Sequence, residues 1–465
     1  MINDMIHRPL LAQITTLHSI LFIFALLCLP STPQAWAGGG EDTPNGASTL
    51  VEPYIPNAHL VDPASTATLS LDELLVFADK NAPAILIARA EFGRTDADKS
   101  AAEPLFLENP TLGLAAGPRI LNGDPALSFE VSLAQTIDIS GARGLNRDAV
   151  HAAEQVALAR VNEARWAIHV ETHALYHDLL INTERRAQAQ RFGELAKSLR
   201  DIAQRRIDAG ESSPLTLLAT DADLARAGTE VSRAQQDAIR LRAELAALIG
   251  WPSASIPPVT GDLPPVRPAP ETPSLLEKMQ QNHPQLRTRK LANLLAERRI
   301  EFEDRQAWPD PTIAVSYAQE GEPSGEPAPQ TWMLSVSVPI PLWQRNQGPR
   351  QHAQADLAVA RQQHHAAALK LRAELTAAAS ALTASAQRVE QYQRAVIAPL
   401  EQNLDLLQRA FELGEVDVYQ VSQTRESLLD AYAHYLDARH EYYQAAALLE
   451  GLVGAELWTS KGSAP

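Results

Sequence analysis

Cysteine is almost absent. The single cysteine, Cys28, lies in an apolar stretch near the N-terminus, so a chain that loses that stretch has neither a disulfide scaffold nor thiol chemistry. Aromatic residues make up only 5%. The interior must then lean on Ala and Leu, which suits long, closely packed helices. Basic residues are outnumbered, with 40 Lys and Arg against 56 Asp and Glu and a net charge of −16. That balance argues against a nucleic-acid binder; it fits a well-solvated acidic surface and is compatible with cationic cargo. Past the N-terminal segment no run approaches the roughly 18 continuous apolar residues of a spanning helix. Catalytic signatures are missing as well: no G-x-S-x-G, H-E-x-x-H, P-loop or cysteine-based metal motif occurs. No enzyme activity, catalytic residue or cofactor is therefore assigned.

What is present begins with a targeting segment. Arg8, the apolar run from Ile20 to Leu29, and Ala35-Trp36-Ala37 before Gly38 form a cleavable secretory signal over residues 1–37. Leu27, just before Cys28, is not the small residue a lipoprotein signal requires, so no lipid anchor is expected. Residues 38–68 are rich in Pro and Gly and read as an extended lead-in.

The remainder is a tandem repeat. Residues 69–251 start with short helices and then switch to period two, giving strands at about 111–117 and 127–139. A proline-free stretch from 143 to 209 carries helical spacing, as in Phe192, Leu195, Leu199 and Ile202, and ends at Gly210. Ser213-Pro214 opens a further helix over 214–249. Residues 252–273 hold eight prolines and read as a linker. Residues 274–454 then repeat the order: strands at about 312–319 and 330–338, a long helix over 350–413 ending at Gly414, and a helix over 418–450, before the tail 455–465. The offset is 201 residues from Pro110 to Pro311 and 204 from Gly210 to Gly414. Asn81-Ala82-Pro83 matches Asn282-His283-Pro284. A repeat of this kind is the most informative single feature of a chain.

Around 65 helical residues extend roughly 100 Å. Such a helix is too polar for lipid and several times longer than a bilayer core of about 30 Å, but it can cross a periplasm. In the strands, Leu127, Phe129, Val131 and Leu133 alternate with small or polar residues, as do Leu334, Val336 and Val338. That is the pattern of a wall with lipid outside and water inside. Four strands cannot close a barrel, and open edges are not tolerated in hydrocarbon, so strands from copies of the chain are required.

The order and spacing of these features resemble the TolC outer-membrane factor family over about 69–454. The resemblance includes the matched Asn-x-Pro sites and the turns Arg206-Ile207-Asp208-Ala209-Gly210 and Ala410-Phe411-Glu412-Leu413-Gly414-Glu415. The stretch Ser337-Val338-Pro339-Ile340-Pro341-Leu342-Trp343-Gln344-Arg345-Asn346-Gln347-Gly348 is similar to the entry into the long helix in the heavy-metal, CzcC-like branch. The resemblance implies a mainly α fold with β. It implies a homotrimer whose outer-membrane β-barrel takes four strands per chain and continues into a coiled-coil-like helical tunnel in the periplasm. It also implies passive conduction of cargo, divalent heavy-metal cations in that branch, received from a periplasmic adaptor and an inner-membrane RND pump. The tip, adaptor-docking and gate positions become Gly210, Glu211, Ser212, Ser213, Gly414, Glu415, Asp417, Gln420 and Gln423. Carboxylates ring the tip in the family's type member, and the aligned positions here are Gln420 and Gln423. Glu211, Glu415 and Asp417 are left to supply charge. Asp417 and Gln420 also fit a helix capping box.

His169, His173 and His177 recur every fourth residue on the first long helix. Such a face can bind Zn²⁺ or Cu²⁺, but a packed or solvated face has the same spacing, and tight binding would hold back a conduit's cargo. No metal site is assigned, and the stripe is expected to be dispensable for transport. Pro399, within the second long helix, is expected to kink or loosen its turn. The alternatives are a duct of the same fold for organic compounds, a periplasmic adaptor, and a secreted enzyme on a helical scaffold. An adaptor would carry one helical hairpin rather than two repeats, and an enzyme lacks its motif here.

Overall fold

The computed structural model describes residues 68–458 apart from 107, 122–123, 211–212 and 323–326. The signal segment with Cys28, most of the lead-in, Glu211, Ser212 and the chain beyond 458 lie outside the described residues. The first repeat runs α1 (Leu71–Asn81), α2 (Pro83–Phe92), α3 (Arg94–Ala102), β1 (Thr111–Leu121), β2 (Asp124–Thr136), α4 (Ala142–Asp208) and α5 (Pro214–Ile249). The second runs α6 (Thr272–Asn282), α7 (Pro284–Arg305), β3 (Thr312–Gln319), β4 (Gln330–Ser337), α8 (Gln347–Gln391), a π-helical turn (Tyr392–Ile397), α9 (Ala398–Glu412) and α10 (Val418–Val453). Among the described residues no helix is long and apolar enough to cross a membrane.

Each repeat builds its own core. In the first, Leu74 and Ile85 meet Leu179 on α4 and Leu245 and Ile249 on α5. In the second, Leu275, Met279 and Leu286 meet Leu375 and Leu382 on α8 and Leu449 on α10. Burying each such side chain stabilises by about 1.5–3 kcal/mol. A third cluster joins the repeats further along the long helices, where Phe192 and Leu199 pack with Leu404, Phe411, Val421 and Leu428.

The repeat explains its own matched motifs. Gly250 and Gly454 end α5 and α10 in the left-handed conformation, at φ 74° and 77°. A Cβ on Gly250 would stand 2.2 Å from the Asn81 carbonyl oxygen, and one on Gly454 would stand 2.7 Å from the His283 Cα. Each repeat's closing glycine therefore packs on that repeat's own Asn-x-Pro junction, where only hydrogen fits.

The Pro-rich stretch is more than a spacer. It is strapped across the helices by tyrosines, whose hydroxyls donate to its main-chain carbonyls. Tyr176 donates to Thr260 at 2.8 Å, Tyr442 to Arg267 at 3.0 Å, and Tyr443 to Pro264. Leu69 also bridges Val259 in parallel.

Three element boundaries differ from the sequence reading. First, β1 continues through Gly117-Pro118 to Leu121, where a turn was expected after 117. It is an edge strand, and an edge strand accommodates a proline that has no N–H to donate. Second, β2 begins at Asp124 and stops at Thr136 rather than 139. Beyond it, Asp138 turns the chain into α4 by accepting the N–H groups of Gly141 at 2.9 Å and Arg143 at 2.8 Å. Third, the helix expected over 350–413 starts at Gln347 and is interrupted by the π-helical turn just ahead of Pro399. Proline offers no N–H to the preceding turn and crowds its carbonyl, and one extra residue in that turn absorbs the conflict.

Candidate channel wall and helical tip

The four strands form one antiparallel sheet in the order β1-β2-β3-β4. Its register sorts the side chains by face. Leu114 pairs with Val131, which pairs with Tyr317, which pairs with Trp332. Leu112, Leu133, Val315 and Leu334 form the next row, and Ile313 and Val336 lie on the same face. The opposite face carries Gly113, Ser132, Ser316 and Met333 in one row and Ala134, Ala314 and Ser335 in another. Leu127, Phe129, Val131, Leu133, Leu334 and Val336 therefore share one apolar face, while Val338 lies just past β4 and has no register partner. In the single chain Leu127, Leu334 and Val336 are 71%, 73% and 63% exposed. β1 and β4 each leave one edge unpaired within the chain.

The sheet is fastened to the helices at Asp138. Burial alone would raise its pKa, but the N–H groups of Arg143, Gly141 and Ser140 and the Ser140 hydroxyl hold it below the usual carboxylate value. The Arg143 guanidinium bonds the Pro104 and Glu103 carbonyls at 2.7 Å, and Asp310 accepts the Ile139 N–H at 3.2 Å.

At the other end of the helices, Gly414 sits at φ 79°. Its N–H reaches the Phe411 carbonyl at 3.1 Å, and that of Glu415 reaches Ala410 at 2.9 Å. This is a complete Schellman closure of α9. Gly210 repeats the geometry at φ 75°, with its N–H on Ile207 at 2.9 Å. Ser213 caps α5 by accepting the Leu215 N–H at 3.2 Å. Asp417 occupies the N-cap of α10 but takes no side-chain cap bond, so the expected capping box does not form. The Gln420 N–H goes instead to the Asp417 main-chain oxygen at 3.1 Å. Gly210, Ser213, Gly414, Glu415, Asp417, Gln420 and Gln423 are all exposed. Leu215, Leu218, Leu413 and Tyr419 around them are exposed apolar side chains.

Sequence reading missed a buried ion pair beside this tip. Arg425 on α10, only 3% exposed, pairs with Asp223 on α5, and Asp223 also accepts from the Ser422 hydroxyl at 3.1 Å. No motif signals it, because the partners lie in different repeats. The histidine stripe faces α10. Trp166 stacks on His169 with centroids 5.1 Å apart, His169 on His173 at 4.6 Å, and His177 lies against Tyr443 at 5.1 Å. Burial lowers His173 well below the ordinary histidine value and lowers His177 to about 4.

Comparison with known proteins agrees with this geometry. Residues 275–455 match the outer membrane efflux protein family. The cobalt-zinc-cadmium resistance protein CzcC of Cupriavidus metallidurans is 27% identical over 345 residues, covering 71% of this chain and 79% of that one. A membrane protein from Pseudomonas aeruginosa superposes with a TM-score of 0.68 at 16% identity, covering 86% of this chain and 100% of that one. CusC superposes with a TM-score of 0.68 at 13% identity, covering 89% and 99%. The second repeat carries the outer membrane efflux protein match, and the described residues share the fold of solved channels such as CusC.

Proposed function

We propose that the chain is the exit duct of a tripartite efflux system for divalent heavy-metal cations, working as a homotrimer. The observation that carries this reading is the four-stranded sheet, with one continuous apolar face and two unpaired edges, continuous with helices of 67 and 36 residues. Three copies supply twelve strands, and the apolar face meets outer-membrane lipid while the small, polar face lines the lumen. The helices then run into the periplasm as a passive tunnel. Their exposed tip, around Gly210, Ser213, Gly414 and Tyr419, docks a periplasmic adaptor that links it to an inner-membrane RND pump. Residues 1–37 direct export and are removed without lipidation.

The tip assignment gives a direct expectation. In a chain cysteine-free after signal cleavage, Ser213→Cys and Val416→Cys are expected to crosslink to cysteines placed on the adaptor in cells. Crosslinking confined to Leu114→Cys or Leu334→Cys would invert the orientation.

Cargo rests on the likeness to the cobalt-zinc-cadmium resistance protein and on the net charge of −16, which raises local cation concentration. Deleting the gene is expected to lower resistance to Co²⁺, Zn²⁺ or Cd²⁺ and to leave dye and antibiotic tolerance near normal. Drug sensitivity with unchanged metal tolerance would move the cargo to organic compounds and leave the duct in place.

A further inference from the structure

We infer that His169, His173 and Glu456 form a binding site for one divalent transition-metal ion, of the Zn²⁺ or Co²⁺ kind, fastening the chain end of the second repeat to the long helix of the first. One ligand atom from each lies within 4.8 Å of the other two. His169 Nε2 and Glu456 Oε1 are 3.2 Å apart, about the separation of two ligands on a tetrahedral ion with bonds of roughly 2.0–2.2 Å. His173 offers the third ligand nitrogen within the same 4.8 Å.

The surroundings are those of a built site. His169 is 8% exposed and its Nε2 faces the Glu456 carboxylate without a well-aligned hydrogen bond, while the Nε2 of His173 is buried without a hydrogen-bond partner. The two rings are one helical turn apart on α4, so both nitrogens are delivered by a rigid element. Trp166 covers the His169 face and is fixed by donating its indole N–H to the Gly451 carbonyl at 3.0 Å. Glu456 is placed with equal care. The left-handed Gly454 turns the chain back at the end of α10. The half-buried Glu450 carboxylate then accepts the N–H groups of Leu457 at 2.9 Å and Trp458 at 3.3 Å, holding the loop that carries Glu456.

Two imidazoles and a carboxylate suit borderline divalent ions and disfavour Cu⁺ and Ag⁺, which prefer sulfur ligands. A water molecule would take the fourth position. The third residue of the stripe, His177, lies against Tyr443 and outside the set. The ion would hold two helices together within the wall, so the site does not depend on what the duct conducts.

The test uses the full assembly, extracted in mild detergent and stripped with a chelator. Zn²⁺ is expected to bind at one ion per chain and to raise the unfolding midpoint, and Co²⁺ to give the visible d–d absorption of a low-coordinate histidine site. Glu456→Gln, a substitution near the chain end, is expected to weaken Zn²⁺ binding by at least about tenfold and to remove the midpoint shift, as is His173→Gln. The His364→Ala, His365→Ala double variant, which removes other histidines, should bind as the parent does. Absence of stoichiometric binding in the parent, or parent-like affinity in Glu456→Gln, would overturn the site. Glu456→Gln decides the matter if His173→Gln fails to assemble.

Discussion

Val336→Arg is expected to abolish assembly of the channel, while Ser335→Arg one residue away is tolerated. The two positions are adjacent on β4 but belong to opposite faces, Val336 pairing with Ile313 and Ser335 with Ala314. Both are exposed in the single chain, so the difference cannot come from packing inside the protomer. On the proposed barrel reading it comes from the medium each face meets. An arginine on a lipid face costs about 2–4 kcal/mol at the bilayer midplane, and a symmetric barrel repeats that cost in every copy. The amount of assembled, heat-resistant oligomer in outer-membrane fractions measures the effect. Equal tolerance at both positions would show that the faces are assigned wrongly.

Arg425→Ala is expected to loosen the helical tip. The substitution leaves the Asp223 carboxylate, 12% exposed, without its counter-charge. Removing one partner of a buried pair costs about 3–5 kcal/mol, whereas replacing both by apolar residues is often neutral. The single variant should therefore exchange amide hydrogens at least about a hundredfold faster over residues 214–225 and 418–428. The double variant Arg425→Met, Asp223→Leu should recover most of the protection. A double variant as labile as the single one would mean that local packing, and not the unpaired charge, sets tip stability.

The periodic features were legible in the sequence because their physics is local. The alternation in Leu127 to Leu133 and Leu334 to Val336 fixes the face of a strand whatever it pairs with. Gly210 and Gly414 mark helix ends because a left-handed residue is needed there. What depends on distant partners was not legible. Pro118 reads as a turn, and only the pairing of β1 with β2 shows that the strand runs through it. The Pro-rich stretch reads as a spacer until Tyr176, Tyr442 and Tyr443 are seen to donate to it. Arg425 and Asp223 meet across repeats, and Glu456 reaches the histidine stripe only because Gly454 turns the chain. The stripe alone cannot be told from a packed helix face; the carboxylate beside it makes the difference.

The central claim is that this sheet is one part of a barrel that only copies of the chain can close. The mass of the assembly extracted from outer membranes in mild detergent tests it most directly. Three chains per particle is the expected result, because β1 and β4 each leave an edge that a neighbour must pair. A stable single-chain particle with those edges open would contradict it.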